Sequence, residues 1–286
     1  MKKECTKNAR RVLLMSDVHY CKDAWYGVTQ EVKKKWLSED LGREYAEKPY
    51  EALLLLGDYS LDHWAWFTKG TYLTQGVSNA KLFAEQCLPA LAPDGVAVRM
   101  IAGNHEQYGE ELWKKLTGFE RQSHLLCGSV LFVLLDTFGG DLDPTDHSDG
   151  TYIGADTARI KALLAEYPDK KVVLCAHWFE MEKESEEFRR LLADEARILC
   201  LVCGHNHVSK VVSTGEACGS KPILYTGNYS YSGEQNMVRC LYGYREIIIT
   251  DSGISSKYIV PSHTYQVGNV RFTNEYAEQD AIEIPF

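Results

Sequence analysis

The chain has 286 residues, 45% of them hydrophobic, and a formal net charge of -9. That length can bury a substantial core, no Pro/Gly/Ser-rich linker interrupts it, and we expect residues 1–286 to form a single domain. The acidic balance repels phosphate backbones, which makes a polynucleotide an unlikely partner.

The basic start, Met1 to Arg11, leads into a short apolar segment, Val12 to Met15, too brief for a signal-peptide core; no run approaches the ~20 residues of a membrane span. Cys175, Cys200 and Cys203 lie inside apolar strands, so the odd total of nine cysteines reads as reduced, buried thiols and a cytoplasmic location.

Arg11 to Ser16 reads as a strand that stops at Asp17-Val18-His19. Thr29 to Lys48 sets Val32, Trp36, Leu37 and Leu41 at helical spacing among charges, a helix ended by Pro49. Leu53 to Asp58 is four leucines, a glycine and an aspartate, the pattern of a short strand buried on both faces. Tyr59 to Gly76, directly after it, carries Tyr59, Trp64, Trp66, Phe67 and Tyr72 with neither regular period.

Val77 to Leu91 reads as a second helix that ends near Pro93-Asp94-Gly95. Val96 to Ile101 is a strand running into Gly103-Asn104-His105-Glu106. A short helix at Glu110 to Leu116 and a strand at Val130 to Leu135 precede an acidic loop, Gly139 to Gly150. The helix Ala155 to Tyr167 leads to the strand Val172 to Cys175 and His177. The charged helix Glu182 to Ala196 leads to the strand Leu199 to Val202 and Gly204-His205-Asn206-His207. Beyond it, β-rich runs at Lys210 to Val212, Ile223 to Thr226, Glu246 to Thr250 and Lys257 to Val260 predict a second, largely antiparallel sheet.

Five of these strands therefore run apolar and then stop at residues of metal-binding type. In open α/β layers ligands bind outside the carboxyl ends of the strands, so the five segments are expected to converge at one edge. Cys175 and Cys203 adjoin these residues but read as small apolar strand positions. The acidic loop, with Asp141, Asp143, Asp146 and Asp149, lacks the spacing of an EF-hand and reads as solvated. His63 and His147 fall in loops near the same edge, where a substrate contact competes with plain surface exposure.

In order, D-x-H, G-D, G-N-H-E, H and G-H-N-H resemble the signature of the calcineurin-like metallophosphoesterases, from Asp17 to His207. The resemblance implies an α/β fold of four αββα layers, two mixed β-sheets flanked by helices. It implies two transition metal ions, Mn, Fe or Zn, bound through nitrogen and oxygen. By the family pattern Asp17, His19 and His207 would hold one ion, Asn104, His177 and His205 the other, and the Asp58 carboxylate would bridge them. His105 would face the substrate as general acid or stabiliser of developing charge. The reaction implied is hydrolysis of a small phosphate monoester or diester by metal-activated water.

Aromatic residues adjoin the expected ligands, Tyr20 after His19, Tyr59 after Asp58 and Trp178 after His177. Together with the 59–76 segment they predict a flat or apolar leaving group, a nucleotide being the leading case, with Tyr59 and Trp178 joining Asn104 and His105 in substrate binding. Protein Ser/Thr phosphatases of the family follow G-D with a D-R-G whose arginine grips phosphate. Here the matching stretch is Leu61-Asp62-His63-Trp64, which weakens that alternative. A second alternative is a non-catalytic protein-binding scaffold, like the retromer subunit that resembles this family; such a scaffold would tolerate gaps among the ligands, and this chain has none.

Overall fold

The computed structural model describes residues 9–21, 28–62, 78–140, 150–230, 243–261, 265–267, 270–272 and 280–286. Strand β1 (Arg10–Met15) is followed by helix α1 (Gln30–Glu47), whose first turn is capped by Thr29 Oγ1, accepting from Val32 N at 3.3 Å. After β2 (Ala52–Leu56), helix α2 begins at Asn79–Leu82, widens into a π-turn at Phe83–Cys87 and tightens into a 3-10 turn at Leu88–Ala90, where Pro89 cannot donate to the α ladder. Next come β3 (Ala97–Ile101), α3 (Glu110–Thr117), β4 (Ser123–Cys127) and β5 (Val130–Leu135). Helix α4 (Thr157–Glu166), capped by Asp156, precedes β6 (Lys171–Ala176), and α5 (Glu186–Asp194), capped by Ser185, precedes β7 (Ile198–Cys203). The chain then makes β8 (Val211–Ser213), β9 (Pro222–Tyr225), β10 (Tyr244–Ile249) and β11 (Gly253–Ile259). Strands β12 (Tyr265–Val267), β13 (Val270–Phe272) and β14 (Ile282–Pro285) end it.

Two six-stranded mixed sheets result, in the orders β14-β11-β10-β1-β2-β3 and β4-β5-β6-β7-β9-β8, with β12 and β13 paired apart from both. In the first sheet β1, β2 and β3 are parallel, while β10 joins β1 antiparallel. In the second, β5, β6, β7 and β9 are parallel, and β4 and β8 close the edges antiparallel.

The four αββα layers follow from alternation along the strands. Leu13, Met15, Leu53 and Leu55 pack outward against Trp36, Leu37 and Leu41 of α1, Phe83 of α2 and Trp113 of α3. Their neighbours Val12, Leu14, Leu54 and Leu56 point the other way, onto Phe132, Leu134, Val173 and Val202 of the second sheet. That sheet's outer face, with Val133, Leu174 and Leu201, is covered by Ile160 and Leu164 of α4 and Phe188 and Leu192 of α5.

The four β-rich runs expected beyond His207 form no second sheet of their own. Strands β8 and β9 extend the β7 sheet, whereas β10, β11 and β14 complete the β1 sheet. The five strands expected along one edge likewise divide, β1, β2 and β3 in one sheet and β6 and β7 in the other, and their carboxyl ends meet across the sandwich. Among the described residues no helix is long and apolar enough to cross a membrane. Cys21, Cys87, Cys127, Cys175, Cys200, Cys203 and Cys218 are free and buried.

Candidate metal centre

Three of the five ligand-bearing turns leave their strands in a left-handed conformation. Asp17, His19, Asp58, His205 and His207 all hold positive φ, between 47° and 68°, a region that L-residues other than glycine seldom occupy. Ser220 is the sixth such residue in the described chain, so this conformation is concentrated where three of the five strands, β1, β2 and β7, end. Two glycines of the motifs are required by close approach. A Cβ at Gly103 would collide with the Asp58 carboxylate and backbone nitrogen, and one at Gly204 with Ser16 Oγ and the Asp17 carboxylate.

Three overlapping groups of side chains come within reach of a common point: Asp17 with His19 and His207, Asp58 with His177 and His205, and His19 with Asp58 and His105. Within each, the ligating atoms lie inside 4.8 Å of one another. Asp58 Oδ2 lies 3.2 Å from His177 Nε2, 3.7 Å from His105 Nε2 and 3.9 Å from His19 Nε2. Asp17 Oδ1 lies 3.1 Å from His207 Nε2. Asn104 Oδ1 sits 2.9 Å from His177 Nε2 and 3.0 Å from His205 Nδ1. Every metal ligand expected from the sequence, and His105 with them, is thus brought into one cluster.

The donor set fits cations. His19 Nε2 is buried without a hydrogen-bond partner among the described residues, an arrangement that burial penalises unless another electron acceptor is supplied. Burial lowers the His19 imidazole to about 4, against the pull of Asp58, and lowers His205 to about 4 with help from the charge on His177, so both rings are neutral donors near pH 7. Burial would raise the Asp17 carboxyl, yet His207, by charge and hydrogen bond, brings it down to about 2. Asp58 is likewise held well below the usual carboxylate range: His177 and His105 overcome its burial. His177 is the exception. Burial lowers it, but the charge and hydrogen bond of Asp58, followed by Asp17, lift it to about 9.

Glu106, the last residue of G-N-H-E, has a structural part that the sequence reading did not assign. Its fully buried carboxylate accepts from Asp58 N at 2.8 Å, Ser60 N at 2.8 Å, Gly103 N at 2.9 Å and Ser60 Oγ at 3.0 Å, locking the β2 and β3 turns together. Burial, then the charge of Asp58, raises it to about 7. Arg121 grips the same segment from behind, donating to the Glu106 and Tyr108 carbonyls while pairing with Asp136. Asp62 is no surface residue; it caps α2 through Asn79 N, at 3.0 Å, and accepts from Tyr108 Oη at 2.6 Å.

The aromatic expectation divides. Tyr59, expected at the substrate, is fully buried, stacks on Phe83 at 5.1 Å between centroids, accepts from Gly57 N and donates to the Ile101 carbonyl. It is a core residue because its side chain turns to the α-helical face of the first sheet, and Tyr20 packs on the same Phe83 at 5.8 Å. Trp178, by contrast, is half-buried and stacks on His205 at 4.4 Å and 26°. Phe138 and Tyr152, not singled out from sequence, complete a wall with it, at 6.3 and 5.5 Å from its ring. Trp64, Trp66, Phe67, Tyr72, His63 and His147, with most of the 59–76 and 139–150 segments, lie outside the described residues.

Residues 10–209 match the family described as calcineurin-like phosphoesterase. No protein of curated function matches the sequence. Among solved structures, a dimetal phosphatase from Danio rerio superposes with a TM-score of 0.62 at 11% identity, covering 96% of this chain and 98% of its own. The purple acid phosphatase PPD1 from yellow lupin (Lupinus luteus) seeds gives a TM-score of 0.56 at 13% identity, covering 94% of this chain and 54% of the lupin protein. At such identities the likeness is one of fold.

Proposed function

The chain belongs to the calcineurin-like phosphoesterase family, and from that premise we propose that it hydrolyses small phosphoesters with two divalent or mixed-valence metal ions. The observation that carries this reading is Asp58, whose Oδ2 stands between His177 on one side and His19 on the other. A carboxylate can touch two ions at once, which a neutral imidazole cannot. Asp17, His19 and His207 would hold one ion and Asn104, His177 and His205 the second. Bound there, two ions polarise the phosphoryl oxygens and supply a nucleophile near neutral pH.

The chain's own groups then do the rest. Asn104, through an oxygen shared between His177 and His205, fixes their relative orientation. His105 is part-exposed at the rim, anchored by its backbone nitrogen to Asp58 Oδ1 at 3.1 Å, and its ring is placed to protonate a leaving oxygen. Trp178 and Tyr152, both part-exposed, offer flat apolar surface beside His205, with Phe138 buried behind them, which supports a planar leaving group such as a nucleoside. The stretch Leu61-Asp62-His63-Trp64 carries no arginine to grip a phosphate, which counts against the protein-phosphatase alternative.

The test is hydrolysis of chromogenic phosphate monoester and diester substrates by metal-stripped protein given Mn²⁺, Zn²⁺, Fe²⁺ or Mg²⁺ in turn. Turnover that requires an added ion and vanishes in Asp58→Asn is expected. Absence of turnover with every ion and both ester types would leave a scaffold as the better reading.

A further inference from the structure

Asp17 and His19 hold left-handed dihedrals, φ 54° and 47°, on either side of Val18. Residues other than glycine are disfavoured in that conformation, so a turn built from two of them needs support from its surroundings. On one side the support is backbone: Asp17 N donates to the Gly57 carbonyl and His19 N to the Asp58 carbonyl, both at 3.0 Å. On the other side, among the described residues, a lysine side chain holds the turn's carbonyls. Lys33 Nζ donates to the Val18 carbonyl at 2.6 Å and to the His19 carbonyl at 3.0 Å.

Lys33 projects from α1 on the face that buries Trp36, Leu37 and Leu41, and it is only 3% exposed. An ammonium sunk among apolar side chains is strongly disfavoured unless its donors are used, and leucine would serve packing better at that position. We propose that Lys33 is a positioning residue for the Asp17, His19 and His207 half of the centre, fixing the turn so that Asp17 and His19 present their free atoms to one ion. This rests on the two-metal reading above and specifies how one half of that centre is held.

Charge and geometry make opposite demands here, which gives the proposal a sign. A cation behind the site repels an incoming ion, whereas a cation that holds the turn prepays its ordering. If geometry governs, removing Lys33 weakens one metal site; if charge governs, removal tightens it.

The experiment titrates Mn²⁺ into metal-stripped full-length wild type, Lys33→Met and Lys33→Gln by calorimetry, with electron paramagnetic resonance counting bound ions. Methionine keeps an unbranched stem without donors, and glutamine keeps an N–H without charge. Wild type is expected to take two ions. Lys33→Met should bind one as wild type does and the other about 10- to 100-fold more weakly, the usual effect of losing support behind a ligand. Lys33→Gln should lie between. His207→Ala, which strikes a ligand of the same half, identifies the weakened ion, and adding Lys33→Met to it should leave the surviving ion unchanged. Two wild-type affinities in Lys33→Met, equal weakening of both, or tighter binding would overturn the proposal while leaving the two-metal reading intact. If Lys33→Met does not fold, Lys33→Gln is judged by the same criteria, the unperturbed ion serving as its folding control. A wild type that binds no ion overturns both.

Discussion

His177 and Leu56 belong to different sheets, yet the imidazole Nδ1 stands 2.8 Å from the Leu56 carbonyl oxygen. A carbonyl can only accept, so Nδ1 carries a proton and Nε2 is the atom left for the centre. With Asp58 3.2 Å away and the imidazole raised to about 9, that second nitrogen is also protonated at neutral pH in the metal-free chain.

Metal loading should therefore release a proton. Below about pH 9 the ion must displace the His177 Nε2 proton, so apparent affinity falls as pH falls, by up to about tenfold per unit for a single proton. His19 and His205, lowered to about 4, contribute nothing to this slope near neutrality. Calorimetry in buffers of differing ionisation enthalpy at pH 7 measures the release directly, and a value near zero would contradict the assignment.

His105→Ala should reduce kcat by about 10²- to 10⁴-fold, the usual range for a general acid, with metal content at the wild-type level. The ring lies within reach of both His19 and Asp58, so geometry alone permits it a ligand's part. Elemental analysis of the variant decides: loss of an ion along with activity would make His105 a ligand.

Glu106→Gln keeps shape but turns an N–H toward groups that already donate, since Asp58 N, Ser60 N and Gly103 N all point at this carboxylate. Each unsatisfied buried group costs about 1–3 kcal/mol. Chemical denaturation should show a loss of that order, and Mn²⁺ affinity should fall with it because Asp58 loses its anchor. A variant as stable and as metal-competent as wild type would show that the four contacts are incidental.

Trp178→Ala should lower kcat/KM for nucleotide and aryl esters by the equivalent of about 1–3 kcal/mol while sparing sugar phosphates, if a planar group stacks there. Because Trp178 also stacks on His205, metal content must be measured alongside. Equal losses for planar and non-planar substrates, with metal retained, would remove the aromatic wall from substrate recognition.

The centre was legible in sequence because its chemistry and its fold coincide. Asp17, Asp58, His177 and His205 each follow a buried, largely aliphatic run, and Asn104 a part-buried one interrupted by Arg99, so strand ends and polar groups are marked by the same break. Partnership was not legible. Periodicity says that Tyr244–Ile249 is a strand but not that its antiparallel neighbour is β1, more than 200 residues earlier. Strand β4 went unread because Ser123–Cys127 is an edge strand with little burial contrast, and β14 because Ile282–Pro285 is a four-residue piece near the end of the chain. Tyr59 misled for a related reason: being next to Asp58 in sequence fixes its distance from the centre but not the face to which it turns. Glu106 and Lys33 act through backbone groups, and backbone partners leave no mark in composition.

The apolar layer between the sheets, with Leu54 and Phe132 among its members, grips without direction, since the hydrophobic effect has no preferred angle. At the loop end the fastening is directional: Asp17 and Asp58 come from one sheet, His177 and His205 from the other. Ions held there, as proposed, would act as rivets through the sandwich, setting how far one sheet can slide over its neighbour. Saturation at about 100 times Kd adds roughly 2.7 kcal/mol to stability. A chelator should accordingly lower the melting temperature and speed amide exchange first at the carboxyl ends of β2 and β6, while their opposite ends, held by the apolar layer alone, change little.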